Sequence, residues 1–229
     1  MTTENDQPDP TSRPAQDDPD RPGTLVLVIG TATDIGKTWV GGQVLPRLRE
    51  RGVTVAARKP AQSFDPDEDH PTDAEVLGAA TGEDPDVVCP AHRNYPVPMA
   101  PPMAAEVLGL PVPTIDDLFA ELHWPTGPVA VGWFETVGGP RSPIAFDGDA
   151  VTVAERLDPD VVVLVADAGL GTVNAVLVSI APFTGRRVVV VLNRYDATVD
   201  LHRRNLEWLR TREGLEVVTD PEALASLLG

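Results

Sequence analysis

Lysine is nearly absent from this chain of 229 residues: of its 18 basic side chains, only Lys37 and Lys59 are not arginine. Cysteine is scarcer, and the single Cys89 excludes both an internal disulfide and a cysteine-built metal cage. That usage is the pattern of a reducing compartment, and with no secretory leader the expected location is cytoplasmic. Long apolar runs are missing too. The longest, Val161 to Ala166, falls far short of the roughly 20 residues that span a bilayer. Positive charge is outweighed by 35 acids, for a formal net charge of −17, which repels phosphate backbones and anionic lipid surfaces. No nucleic acid and no membrane are therefore expected as partners; small molecules are.

What is present is unevenly organised. Residues Met1 to Pro22 hold five prolines and six acids with almost nothing apolar. They cannot offset the entropy of ordering and are expected to form a disordered acidic tail. Beyond them 29 acids still face 16 bases, so the folded part, residues 23–229, is itself acidic. There, short valine-rich runs alternate with longer amphipathic stretches, which predicts an α/β fold: a single domain whose mostly parallel sheet is flanked by helices on both faces. Strands are expected at Thr24 to Ile29, Val53 to Arg58, Val129 to Phe134, Val161 to Ala166, Val188 to Leu192 and Leu215 to Val218. Helices are expected at Lys37 to Glu50, Asp73 to Ala80, Ala100 to Leu108, Ile115 to Leu122, Val151 to Leu157, Val173 to Ala181, His202 to Arg212 and Glu222 to Leu228. Trp39, Trp133 and Trp208 fall within these elements and are expected in the core. In such sheets ligands collect where strand carboxyl ends meet helix amino ends.

The clearest such place is Gly30-Thr31-Ala32-Thr33-Asp34-Ile35-Gly36-Lys37-Thr38, directly between a strand and a helix. Backbone N–H groups of such a turn converge on oxyanions, the lysine supplies a point charge at the β and γ phosphates, and the threonine hydroxyl can ligate Mg²⁺. The fold expected is therefore of the phosphate-loop NTPase kind. Lys59 follows the second strand and precedes Pro60, which puts it on the same sheet edge as Lys37. A compact ammonium fits between phosphate oxygens, or beside a reacting amine, where a planar guanidinium does not. Two lysines at one site is the economical reading of a chain that otherwise uses arginine.

These residues, with others further along, resemble the dethiobiotin synthetase family. The phosphate loop fits the family spacing Gly-Thr-x-Thr-x-x-Gly-Lys-Thr at every fixed position, and Lys59-Pro60-Ala61-Gln62-Ser63 fits Lys-Pro-x-x-Ser/Thr. Asp73-Ala74-Glu75-Val76-Leu77, Pro98-Met99-Ala100-Pro101, Glu135 with Gly138-Gly139, Leu170 to Asn174 and Asn193 are similar to further family segments, in order, across most of the folded chain. Three segments depart from it: Phe64 and Thr136-Val137 replace residues that are commonly glycine or alanine, and Ala175 replaces a histidine.

The resemblance implies an ATP-dependent ligase that closes a cyclic urea on 7,8-diaminononanoate with CO₂, using Mg²⁺. Lys37, Lys59 and Ser63 would be catalytic. Thr33, Asp34, Ile35, Gly36, Lys37, Thr38 and Asn193 would bind the nucleotide, with Asn193 at the adenine. Thr31, Ser63, Gly138, Gly171, Thr172 and Asn174 would bind substrate, the last three from the neighbouring subunit of a homodimer. Thr38, Asp73 and Glu135 would hold the metal. From the residues alone, Asp73 can also be read as a helix-start acid, and Thr172 or Asn174 as a plain helix cap. Arg141 lies outside the family pattern and is either a carboxylate or phosphate contact or solvent-facing. Two other readings stay open: a paralogue acting on a different vicinal diamine, motivated by the three departures, and a nucleotide-switch ATPase of the same fold.

Overall fold

The computed structural model describes residues 21–229; most of the expected tail, residues 1–20, lies outside the described residues. Arg21 and Pro22 are tied to the domain, Arg21 through a 3.0 Å ion pair to Asp160 and Pro22 by burial against the sheet. The strands are β1 (Thr24–Gly30), β2 (Val55–Arg58), β3 (Gln62–Ser63), β4 (Asn94–Tyr95), β5 (Val131–Glu135), β6 (Pro143–Ala145), β7 (Gly148–Asp149), β8 (Val161–Asp167), β9 (Val188–Asn193) and β10 (Glu216–Val218). The helices are α1 (Lys37–Glu50), α2 (Asp73–Thr81), α3 (Pro85–Val88), α4 (Pro101–Val107), α5 (Ile115–Ala120), α6 (Ala150–Leu157), α7 (Thr172–Ile180), α8 (Asp200–Thr211) and α9 (Pro221–Leu228).

Six strands form one parallel sheet in the order β10-β9-β8-β1-β5-β2. Alternate residues of β1 serve two cores. Val26 and Val28 pack with Val40, Val44, Leu48, Leu77 and Leu224 on one face. Leu25, Leu27 and Ile29 pack with Leu118, Val153, Val176 and Leu209 on the other. Burial on both faces is why these strands read as unbroken apolar runs instead of alternating ones. Every expected main strand and helix is present. The short pairs β3/β4 and β6/β7 and the single turn of α3 were not expected, because segments of two to four residues carry no detectable period.

Because the sheet is parallel, all six strands end at one rim. Gly30, Arg58, Glu135, Asp167 and Asn193 are the terminal residues of β1, β2, β5, β8 and β9. Chemistry spread over more than 160 positions of sequence is thereby gathered along one edge, as open α/β sheets do.

Candidate active site

The phosphate loop leaves β1 at Gly30 and enters α1 at Lys37. Gly30 is the close approach: its N–H donates to the Gly138 carbonyl at 3.1 Å, and a Cβ there would lie 2.7 Å from the Ile35 side chain. Gly36 adopts φ 98°, the left-handed region that disfavours a side chain, and a Cβ would lie 2.2 Å from the Asn193 amide. The start of α1 carries neither a capping side chain nor an acid in its first turn, whereas α2, α5, α6 and α9 are capped by Thr72, Thr114, Asp149 and Asp220. Its N–H groups and positive dipole end are free to meet an anion.

Beside this loop four side chains meet. Thr38 Oγ1 lies 2.7 Å from Asp73 Oδ1 and 2.6 Å from Glu135 Oε1, and the Lys59 ammonium donates to Glu135 Oε1 at 2.8 Å while pairing with Asp73. Lys59 and Glu135 are buried, 2% and 0% exposed. A single hydroxyl carries one proton and satisfies one of the two carboxylates at a time. Glu135 Oε2 is buried with no hydrogen-bond partner among the described residues. Three hard oxygen donors, one of them orphaned, suit a divalent cation that keeps few protein ligands and completes its shell with phosphate and water. The residues present thus fit Mg²⁺.

The electrostatics separate the two lysines. Burial works to lower the Lys59 ammonium, but the Asp73 and Glu135 carboxylates outweigh it and hold the group above its ordinary value. Burial, then repulsion from Lys59, pulls Lys37 below its ordinary value, only partly offset by Glu135, Asp73 and Asp34. Lys37 makes no ion pair among the described residues, so its ammonium, only partly compensated by the nearby carboxylates, is left to meet an incoming phosphate. Asp73 is pushed up by burial and pulled down further by Lys59 and Thr38, ending below its ordinary value.

A cavity of about 830 Å³ opens over this cluster, lined by Thr33, Asp34, Gly36, Lys37, Thr38, Lys59, Ser63, Asp73 and Gly138 among the expected residues. Thr31, Ile35, Glu135, Gly171, Thr172, Asn174 and Asn193 do not line it. Asn193 instead braces the loop, its amide donating to the Ile35 carbonyl at 2.9 Å. The Thr172 hydroxyl is spent on the Asp167 carbonyl, and Asn174 is exposed on the outer face of α7. Of the departures, Phe64 and Val137 line the cavity, whereas Thr136 turns into the sheet and donates to the Val28 carbonyl at 3.0 Å. Arg141 is 69% exposed and pairs with Asp149 at 3.1 Å. Trp133 is buried, but Trp39 and Trp208 are about half exposed, at 52% and 49%. Both stand on helix positions whose outer face the sheet does not cover.

Two contributors were not singled out from sequence. Gln62, 2% exposed, accepts from the Ala74 N–H at 2.9 Å and donates to Asn94, which fixes the start of α2 and with it Asp73. Arg194, in the left-handed region at φ 56°, donates to the Asp34 carbonyl at 3.0 Å. Their only sequence signals are a polar residue inside Lys-Pro-x-x-Ser and a basic residue after a strand-end asparagine. Cys89 is buried and its thiol is pushed up to about 12, chiefly by burial, so it is inert.

Residues 24–227 match the model of a family described as an AAA domain. The chain is 34% identical over 199 residues to the ATP-dependent dethiobiotin synthetase BioD of Haloferax mediterranei, covering 85% of this chain and 82% of that protein. It is 32% identical over 160 residues to the protein of the same name from Corynebacterium efficiens, covering 69% and 68%. Among solved structures, chloroplast FtsY of Physcomitrella patens aligns weakly, at 16% identity and a TM-score of 0.49 over 91% of this chain and 65% of that one. No helix among the described residues is long and apolar enough to cross a membrane.

Proposed function

The chain belongs to the ATP-dependent dethiobiotin synthetase family, ligases that form carbon–nitrogen bonds, and from that premise we propose that it closes a cyclic urea on 7,8-diaminononanoate with CO₂ and ATP. One amine adds to CO₂ and loses a proton, giving a carbamate. A carbamate oxygen attacks the γ phosphorus and ADP leaves. The second amine then attacks the carbamoyl carbon of the mixed anhydride, inorganic phosphate departs, and loss of a proton completes the ring.

The observation that carries this reading is the Lys59 ammonium, held charged between Asp73 and Glu135 at the floor of the cavity beside Thr38. A nucleotide switch needs no second buried lysine there, whereas a carbamate carries a negative charge shared by its two oxygens and needs a fixed cation to hold it against the anionic γ phosphate. Lys37 and the open start of α1 grip the β and γ phosphates. Bound Mg²⁺, held by Thr38, Asp73 and Glu135, would neutralise charge between phosphate oxygens. Ser63, on β3 at the cavity wall, is the proposed hydrogen-bond donor to the carbamate.

Homodimerisation is part of the proposal. Helices α4 and α7 leave Met103, Val107 and Val178 exposed, with Leu170 on the turn before α7 at 92%, and a second copy would cover them. It would also bring the uncapped start of α7, with Gly171, Thr172 and Asn174, to the substrate of its neighbour. Phe64 and Val137 on the cavity wall support a second reading, the same chemistry on another vicinal diamine. The test incubates the protein with 7,8-diaminononanoate, bicarbonate and MgATP and follows phosphate together with the urea by mass spectrometry. Coupled formation of both supports the proposal. A urea from other vicinal diamines only supports the second reading, and phosphate release indifferent to any diamine refutes both.

A further inference from the structure

Trp39 is the third residue of α1, directly after Thr38, and its indole is 52% exposed. A helical side chain leans back over the turn that precedes it, so the ring of Trp39 inclines toward the phosphate loop and not along the helix. The turn at Gly36 shows what lies on that side: a Cβ placed there would sit 2.2 Å from the Asn193 amide and 4.0 Å from Trp39 Cβ. Trp39 and Asn193 therefore flank the same turn.

The direction of a bound nucleotide follows from the strand order. Lys59, Asp73 and Glu135 mark the γ-phosphate end and lie on the β5 and β2 side of β1. Asn193 ends β9, two strands away on the opposite side. A nucleotide with its γ phosphate at Lys59 and its β phosphate on the loop turns its base toward Asn193, and so toward the exposed indole. The other exposed indole is already occupied: Trp208 donates to Glu213 at 2.9 Å and lies under the Arg212 guanidinium. Among the described residues Trp39 has neither kind of partner.

We propose that Trp39 is the platform on which the nucleobase stacks. The proposal rests on the nucleotide reading of the phosphate loop and adds to it the contact that holds the base. Every base has a π face, so the contact raises affinity for any nucleoside di- or triphosphate and leaves base identity to other groups.

The test titrates the full chain, and its Trp39→Phe and Trp39→Ala variants, with MgADP by tryptophan emission and by calorimetry, with inorganic tripolyphosphate as the base-free control. ADP is expected to change the emission of the wild type and not that of Trp39→Phe. Trp39→Ala is expected to weaken ADP roughly 5- to 150-fold, the equivalent of about 1–3 kcal/mol for one base–aromatic stack, with Trp39→Phe in between. Tripolyphosphate is expected to bind all three proteins equally. ADP affinity unchanged in Trp39→Ala overturns the proposal, as does tripolyphosphate weakened as much as ADP, which would mark Trp39 as a support of the loop alone. A wild type that binds neither ligand would instead defeat the nucleotide reading itself, and this inference with it.

Discussion

Replacing Lys59 by methionine, of similar length, deletes the ammonium and leaves Asp73 and Glu135 facing one another across Thr38. Removing one partner of a buried pair costs about 3–5 kcal/mol, because the remaining charge has no solvent to return to. The Asp73 side chain is 38% exposed, so its share falls toward the surface value of about 0–1 kcal/mol. The Glu135 side chain is 0% exposed and carries the rest. In the wild type, Lys59 is held above its ordinary 10.5, so its stabilisation is complete below that pH and is lost only as pH rises through the folded value. Asp73 is held below its ordinary 3.8, so its part is complete above that pH and is lost as pH falls. The wild-type network is thus intact across the neutral range. In Lys59→Met, Asp73 loses the ammonium that held it low and takes up a proton more readily than in the wild type, so the penalty is largest, about 3–5 kcal/mol, at neutral pH and shrinks as pH falls. Urea unfolding of the nucleotide-free protein in EDTA, repeated from about pH 4 to 8, reads this directly. A variant as stable as the wild type at every pH would mean that the cluster is not a buried ion pair, and the electrostatic reasoning would fall.

Three further outcomes are expected. Lys37→Ala should lower kcat/KM for phosphate release roughly 10²–10³-fold, the scale of losing one fixed charge contact to the transition state, with an unchanged unfolding midpoint. Gln62→Leu strands the Ala74 N–H and loosens Asp73, so the unfolding free energy should fall by about 1–3 kcal/mol and the Mg²⁺ concentration giving half-maximal turnover should rise. Gly36→Ala forces a Cβ into φ 98° and against Asn193, and calorimetry should find ADP binding lost while circular dichroism stays native.

Much of the fold and part of the site are legible in the sequence, and the division has a physical basis. The valine runs, the Gly-Lys-Thr turn and the two lysines each act through neighbours a few positions away, or through a single face of the sheet, so the pattern of one strand or helix suffices to find them. β3, β4 and the bend after Glu135 have no such period, and only the packed chain reveals them. Thr136 illustrates the limit. Beside a phosphate motif it reads as an intruder, yet its hydroxyl turns into the sheet to Val28, while its neighbour Val137 faces the cavity.

By itself, then, the sequence determined the parallel α/β architecture, the place of the phosphate loop and the shared rim of Lys37 and Lys59, because burial period and strand-end position are local properties. Tertiary structure alone decided that Thr38, Asp73, Glu135 and Lys59 touch, since they come from separate elements up to 97 positions apart. It also decided that Asn193 braces the loop and that Trp39 stays exposed. Such contacts depend on how α1, α2 and β5 are set against one another, and no stretch of sequence read on its own contains that angle.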